Sequence, residues 1–323
     1  MSELAAFEVA RPQDAAAAIA LRSANAQSRY IAGGTDLMVN VRRGIGKPTL
    51  LIDIAGLPEL GELSITDTGA RIGAGVTLAR LAADPLLRAR YRAAVEAAEA
   101  IAGPGHRSVA TVGGNLCLET RCIYYNQSEW WRHANHYCLK HAGDKCHVAP
   151  QGKRCHAAFS GDLAPALMVL GAEVEIGGPD GNRRIPLADL YHEEGRSYLK
   201  LEPGELLLAV HLPPAPPPST YAKVRQRGAV DFPLAGVAVS LAMADGNVEA
   251  LQVGLTGTNS RPLLLAGTES LVGHPLDAEA LGRLDKLVQK QVQPMRTTLV
   301  SANYRRLAAA ALARRLAGKL ARA

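Results

Sequence analysis

Aromatic side chains are scarce, making up 4% of a 323-residue chain otherwise dominated by Ala, Val and Leu. Nucleic-acid surfaces interleave basic residues with aromatic ones, so this poverty argues against such a partner although the formal net charge is +6. Much of the basic excess falls at Arg305, Arg306, Arg314, Arg315, Lys319 and Arg322, between Ala and Leu residues. That spacing predicts an amphipathic helix with its basic side turned to solvent or to a partner protein. No apolar run reaches membrane-spanning length, so no membrane partner is expected. The opening MSELAAFEVARPQD has an early Glu and no long apolar stretch. A secretory leader is therefore not expected, and the cytoplasm is the default compartment. No internal repeat is found.

The chain is long enough to bury a full core and to divide into two or three subdomains. Its beginning reads as alternating strand and helix. Pro12 to Ser23 has a helical pattern, Arg29 to Ala32 is a short strand, Leu37 to Arg43 a helix and Thr49 to Ile54 a buried strand. This alternation predicts a small parallel sheet. Further on, short strands are expected at Ala70–Gly75, Ala172–Ile176 and Leu206–Leu212, with a helix near Arg88–Ala102. A proline-rich connector, Pro213 to Pro218, marks a boundary. Beyond it come strands near Val237–Met243 and Ala250–Thr256, then helices from about Asp277. The expected division is 1–56, an α/β subdomain; 57–216, a second subdomain with an insertion at 118–157; and 217–323, an α+β domain.

Two glycine pairs stand at turns. Arg29, Tyr30, Ile31, Ala32, Gly33, Gly34, Thr35 and Asp36 run from a strand into a helix start, and Thr111, Val112, Gly113, Gly114 and Asn115 repeat the theme. Glycine lets backbone approach a phosphate, and the free N–H groups of a helix start favour an anion, with Thr35 available as a cap. Neither loop fits G-x-G-x-x-G or the P-loop pattern, which disfavours a Rossmann site or a nucleotide hydrolase. A turn alone explains either loop by itself; the pair together suits the phosphates and ribityl chain of one dinucleotide.

The segments AGGTDL, LIDIAGLPEL, IGAGVTLARL, RSVATVGGNL and SGDLAPALMVLGAEV occur in that order. With Lys223, Arg227 and Asp231 spaced by four, and Tyr304-Arg305-Arg306, the chain resembles the FAD-binding subunits of molybdenum hydroxylases, the xanthine dehydrogenase and carbon monoxide dehydrogenase flavoproteins. The resemblance covers nearly the whole chain. It implies an α+β architecture: a type-2 FAD-binding fold of the vanillyl-alcohol-oxidase kind, then a CO dehydrogenase flavoprotein-like C-terminal domain. By position it puts Arg29 to Asp36 around the pyrophosphate and Thr111 to Asn115 at phosphate and ribityl. Ile101 and Ala102 would border the adenine side or the ring. Asp162 and Lys223 would lie on the flavin side, with Leu187 as an apolar neighbour. Arg107-Ser108 stands where the family usually has an Arg-Asn pair, and Gly161 precedes Asp162; these departures bear on local loop geometry and not on the cofactor.

Leu118 to Ala157 separates segments that stand close together in ordinary family members. This stretch carries Cys122, Cys138, Cys146 and Cys155, with His133, His136, His141, His147, His156, Trp130 and Trp131. Disulfides do not suit a cytoplasmic chain. Zinc takes Cys and His, but zinc knuckles favour C-x-x-C pairs, absent here. Four thiolates also hold a [4Fe–4S] cubane at irregular spacing. Spacing alone leaves zinc and iron–sulfur open; a redox context favours the cluster.

A four-cysteine insertion at this place resembles the β subunits of 4-hydroxybenzoyl-CoA reductases. That resemblance implies a [4Fe–4S] cluster on the four cysteines, with Cys117 as a packing residue and the histidines as surroundings. Tyr124 would either lie between insertion and flavin or pack the loop. It further implies partners: a molybdopterin-containing large subunit and a [2Fe–2S] small subunit, a heterotrimer paired into a heterohexamer. Reduced ferredoxin would donate electrons for reductive dehydroxylation of 4-hydroxybenzoyl-CoA to benzoyl-CoA. This chain would contain no catalytic acid, base or nucleophile. Two rivals remain: an oxidative hydroxylase subunit passing electrons to NAD or a quinone, and a zinc-stabilised structural subunit.

Overall fold

Asp14 starts the first helix, later than Pro12 suggests. Its backbone is extended and its carboxylate accepts the N–H of Ala17 at 2.7 Å, so helix α1 runs Ala15–Ala24 with Ala18 and Ile19 buried. The computed structural model describes residues 6–322; residues 1–5, part of the stretch read for a leader, lie outside the described residues. Strands β1 (Glu8–Ala10), β2 (Ser28–Ile31) and β3 (Leu50–Asp53) form a parallel sheet in the order β1-β3-β2. Helix α2 (Leu37–Arg42) connects β2 to β3. Its flanking residue is Asp36, without a side-chain cap bond, so Thr35 does not cap it.

A second sheet is antiparallel, with β4 (Leu63–Thr66), β5 (Gly69–Gly73), β6 (Glu173–Gly178), β7 (Gly181–Pro186) and β8 (Leu206–Leu212) in the order β4-β5-β8-β6-β7. Between β5 and β6 lie α3 (Leu78–Ala83), α4 (Pro85–Arg90), α5 (Arg92–Ala100), α6 (Pro104–Arg107), α7 (Val112–Leu116), α8 (Glu129–Ala134) and α9 (Leu163–Met168). The single helix expected over 88–102 is thus two. Asp84 caps α4 through the N–H groups of Leu86 and Leu87, both at 2.9 Å, and the chain breaks at Tyr91. Tyr91 is buried and donates its hydroxyl to Pro213 O at 2.7 Å, which fixes the break against the proline-rich connector.

Past that connector, β9 (Ser219–Val224), β10 (Ala235–Ala244), β11 (Asn247–Thr256) and β12 (Leu263–Leu264) make an antiparallel sheet ordered β12-β11-β10-β9. Asp245 and Gly246, both with positive φ, turn β10 into β11. Helices α10 (Ala278–Gln291) and α11 (Ala302–Leu320) pack on this sheet around Val237, Val253, Leu284 and Leu316. The first two sheets share a separate larger core around Ile52, Ile72, Leu81, Leu167 and Val210.

Helix α11 corrects one expectation. Arg305 is fully buried, donating to Leu234 O at 3.0 Å and Met295 O at 2.8 Å and reaching Gly257 O. It belongs to the interior, not to a solvated basic side, because backbone carbonyls answer its charge. Among the described residues no helix is long and apolar enough to cross a membrane.

Candidate functional site

Gly33 and the chain just before Thr111 touch. A Cβ on Gly33 would lie 2.0 Å from Val109 O, so only glycine lets the two loops meet. Gly113 is similarly closed in, its Cβ position lying 2.8 Å from that of Ala74, while its N–H donates to Ala74 O at 2.8 Å. Thr111 caps α7, accepting the N–H of Gly114 at 3.1 Å. In the first loop, the N–H groups of Gly33, Gly34, Thr35 and Asp36 find no acceptor among the described residues, and all four residues are half-buried. Consecutive free N–H groups at a helix start suit an anion such as a pyrophosphate.

Around these loops stand the other expected residues. Asn115 is buried and accepts the N–H of Leu163 at 3.0 Å, while a Cβ on Gly161 would come within 2.6 Å of Asn115 O. The glycine before Asp162 therefore serves a close backbone approach. Asp162 is enclosed between Tyr221 Oη at 2.5 Å and Lys223 Nζ at 3.1 Å. Burial pushes its carboxyl up, and the neighbouring Lys223 charge opposes that. Lys223 also donates to Asp231 O at 3.0 Å, and Asp231 accepts the N–H of Arg227 at 3.1 Å. The lysine-arginine-aspartate spacing thus folds the loop after β9 back onto Lys223 at the strand's end.

Ile101 is buried and its carbonyl accepts from Arg107 Nη1 at 2.8 Å; Ala102 has positive φ and its carbonyl accepts the N–H of Val230 at 3.3 Å. Ser108, in place of the family's Asn, donates to Gly105 O at 2.9 Å. Leu187 is fully enclosed in the larger core, its N–H donating to Ala172 O at 2.9 Å. Arg29 is exposed, and Tyr30 donates its hydroxyl to Gly204 O at 2.9 Å.

Cys122, Cys138, Cys146 and Cys155 are all buried and all line one cavity, with Tyr124, Tyr125, Lys140 and His147. Ser128 caps α8 inside the excursion, and Arg132 on that helix anchors it. The Arg132 guanidinium is buried and donates to Gln127 O at 2.9 Å, Gly44 O at 3.1 Å and Arg43 O at 3.2 Å. Burial pushes the Cys122 thiol up to about 12 and Cys155 up to about 11, with the other cysteines adding to the rise. A bound metal displaces such protons. Among the described residues, no three His, Cys, Asp or Glu side chains come close enough together to hold one metal ion. Four cysteines lining one cavity match in number and chemistry the thiolates that a [4Fe–4S] cluster would take.

Tyr124 stacks on its own excursion, 5.4 Å from His147 and 6.3 Å from Trp131 between ring centroids. Cys117 O accepts the Tyr198 hydroxyl at 2.6 Å, and its thiol is pushed up to about 12 by burial. Cavity and glycine loops adjoin: Asp36 touches the Arg121 guanidinium and accepts the N–H of Glu119 at 3.3 Å, and Arg121 directly precedes Cys122. Arg121, Arg132, Lys140 and Tyr221 carry no signal in the sequence and reach the site from positions outside any motif.

Residues 5–215 match the FAD binding domain in molybdopterin dehydrogenase, and residues 219–320 the CO dehydrogenase flavoprotein C-terminal domain. The aldehyde oxidoreductase FAD-binding subunit of Escherichia coli (strain K12) is 37% identical over 246 residues, 73% of this chain and 76% of that one. The carbon monoxide dehydrogenase medium chain of Afipia carboxidovorans is 30% identical over 314 residues, covering 96% and 94%. The solved structure of reconstituted CO dehydrogenase from Oligotropha carboxidovorans superposes with a TM-score of 0.81 at 26% identity, covering 99% of this chain and 98% of that one. Joined glycine loops and matches over both halves lead to one conclusion: the chain belongs to the FAD-binding subunit family of the molybdenum hydroxylases, the xanthine and carbon monoxide dehydrogenase flavoproteins.

Proposed function

We propose that this chain is the electron-relay subunit of a molybdenum hydroxylase, holding FAD on its glycine loops and an iron–sulfur cluster in its cysteine cavity. The observation that carries the flavin half is the contact of Gly33 with Val109 O, which brings two donor-rich turns to one place. FAD exchanges electrons singly or in pairs, so it links a two-electron reaction to one-electron carriers. The chain's own residues bind and orient: free N–H groups of Gly33 to Asp36 for the pyrophosphate, Thr111 to Asn115 beside them. Asp162, Tyr221 and Lys223 form a closed polar group on the proposed flavin side. Substrate conversion belongs to a molybdopterin-containing large subunit, reached through a [2Fe–2S] small subunit.

Relatives named for aldehyde and carbon monoxide oxidation support the oxidative direction, in which the chain passes electrons on to NAD or a quinone. The four-cysteine cavity favours a second reading. A one-electron centre beside the flavin is of little use to a pyridine nucleotide but suits a one-electron donor such as ferredoxin. In that reading the assembly reductively dehydroxylates 4-hydroxybenzoyl-CoA to benzoyl-CoA.

Anaerobic purification with metal, sulfide and flavin analysis tests the cofactor proposal. Iron, sulfide and FAD together support it; zinc without flavin returns the structural reading. Assaying the assembly with NAD, quinone and reduced ferredoxin then separates the two directions. Turnover only with reduced ferredoxin and 4-hydroxybenzoyl-CoA selects the reductive one.

A further inference from the structure

Lys140 is 8% exposed and lines the cysteine cavity. Its Nζ donates to Gly195 O at 2.6 Å and lies 2.5 Å from both Thr120 Oγ1 and Glu119 Oε1. It also stands 5.0 Å from the centre of the Tyr125 ring. Gly195 joins the lysine to the cavity wall: its N–H donates to Cys155 O at 3.0 Å, and a Cβ there would lie 3.0 Å from Cys155 Sγ. On its other flank, the N–H of Glu119 donates to Asp36 Oδ2 of the first glycine loop at 3.3 Å. The Lys140–Glu119 pair thus occupies the seam between the cavity and the flavin loops.

A neutral donor would satisfy Gly195 O and Thr120 without the desolvation that a buried ammonium incurs. A cation is favoured there when negative charge faces it. Glu119 supplies part, and four thiolates around an iron–sulfur core supply more, growing by one charge with each electron added. Net charge and nearby dipoles set the potential of such centres. We propose that Lys140 sets the reduction potential of the iron–sulfur centre, stabilising its reduced form, with Glu119 opposing it. This rests on the cluster reading above.

An anaerobic dithionite titration of the purified full chain, without its [2Fe–2S] partner, reads the iron–sulfur midpoint by EPR and the flavin midpoint by absorbance. Lys140→Met should lower the iron–sulfur midpoint and leave the flavin midpoint nearly unmoved. Lys140→Arg, which keeps the charge, should restore it, and Glu119→Gln should raise it. An unmoved midpoint in a Lys140→Met protein that retains its iron overturns the proposal. If that variant loses iron, Glu119→Gln decides: a raised midpoint supports the proposal, an unmoved or lowered one overturns it. A wild-type protein with no iron–sulfur signal sinks the cluster reading itself, a distinct result.

Discussion

A single methyl group added at Gly33 would sit 2.0 Å from Val109 O and force the glycine loops apart. Gly33→Ala should therefore weaken FAD binding by about tenfold or more, about 1.4 kcal/mol, read by flavin fluorescence titration. Lys223 offers a second test at this scale. Its ammonium is the counter-charge of the enclosed Asp162. Lys223→Met removes that carboxylate's nearest counter-charge, leaving only the more distant Arg225, so its pKa rises further and stability falls by about 3–5 kcal/mol in urea unfolding. Asp162→Asn on the Lys223→Met background should recover part of the loss, since the amide carries no charge. The sequence showed the glycines and the lysine but not their partners. Val109 sits inside RSVATVGGNL without any sign of its contact and Tyr221 belongs to no motif; the first contact exists only once the two glycine loops meet, the second only once β9 reaches Asp162.

At the scale of elements, Arg132 holds the excursion to the turn after α2. Arg132→Met leaves the carbonyls of Arg43, Gly44 and Gln127 without their donor, each at about 1–3 kcal/mol if still buried. The expected result is faster proteolysis within residues 126–136 while the three sheets stay intact. The edge of the second sheet carries a pH dependence. Arg183, hydrogen-bonded to Glu205 at 2.6 and 2.8 Å, holds that carboxyl below the usual glutamate range. The folded state then binds the proton less tightly than the unfolded one. The stability gained is complete above the ordinary glutamate pKa and is lost as pH falls through the folded value. For a partly exposed pair the gain is about 0.5–1 kcal/mol. Glu205→Gln should lose it at pH 7 and flatten the acid-side decline in urea midpoints. Long strands such as β8 and the parallel β2–β3 pair were readable from apolar runs. The split between α4 and α5 was not, because it depends on Tyr91 reaching Pro213, 122 residues away. Nor was β7, whose alternation is polar and exposed.

For the whole molecule, the C-terminal basic stretch shows where composition misleads. Arg305 reads as surface charge, yet it joins α11 to the carbonyls of residues 234, 257 and 295. The cysteines show the opposite. Spacings of 16, 8 and 9 residues gave no local motif, and only the fold brings the four thiols to one cavity, adjoining the glycine loops through Arg121 and Asp36. That adjacency underlies the proposed function, in which one chain would carry a flavin and an iron–sulfur centre as neighbours. Low-temperature EPR of the anaerobically purified, dithionite-reduced protein, with iron and flavin quantified on the same sample, tests it most directly. Expected are about four irons per FAD and a fast-relaxing iron–sulfur signal that Cys138→Ser diminishes while flavin is retained. A flavin-replete protein with no iron and no such signal would contradict it.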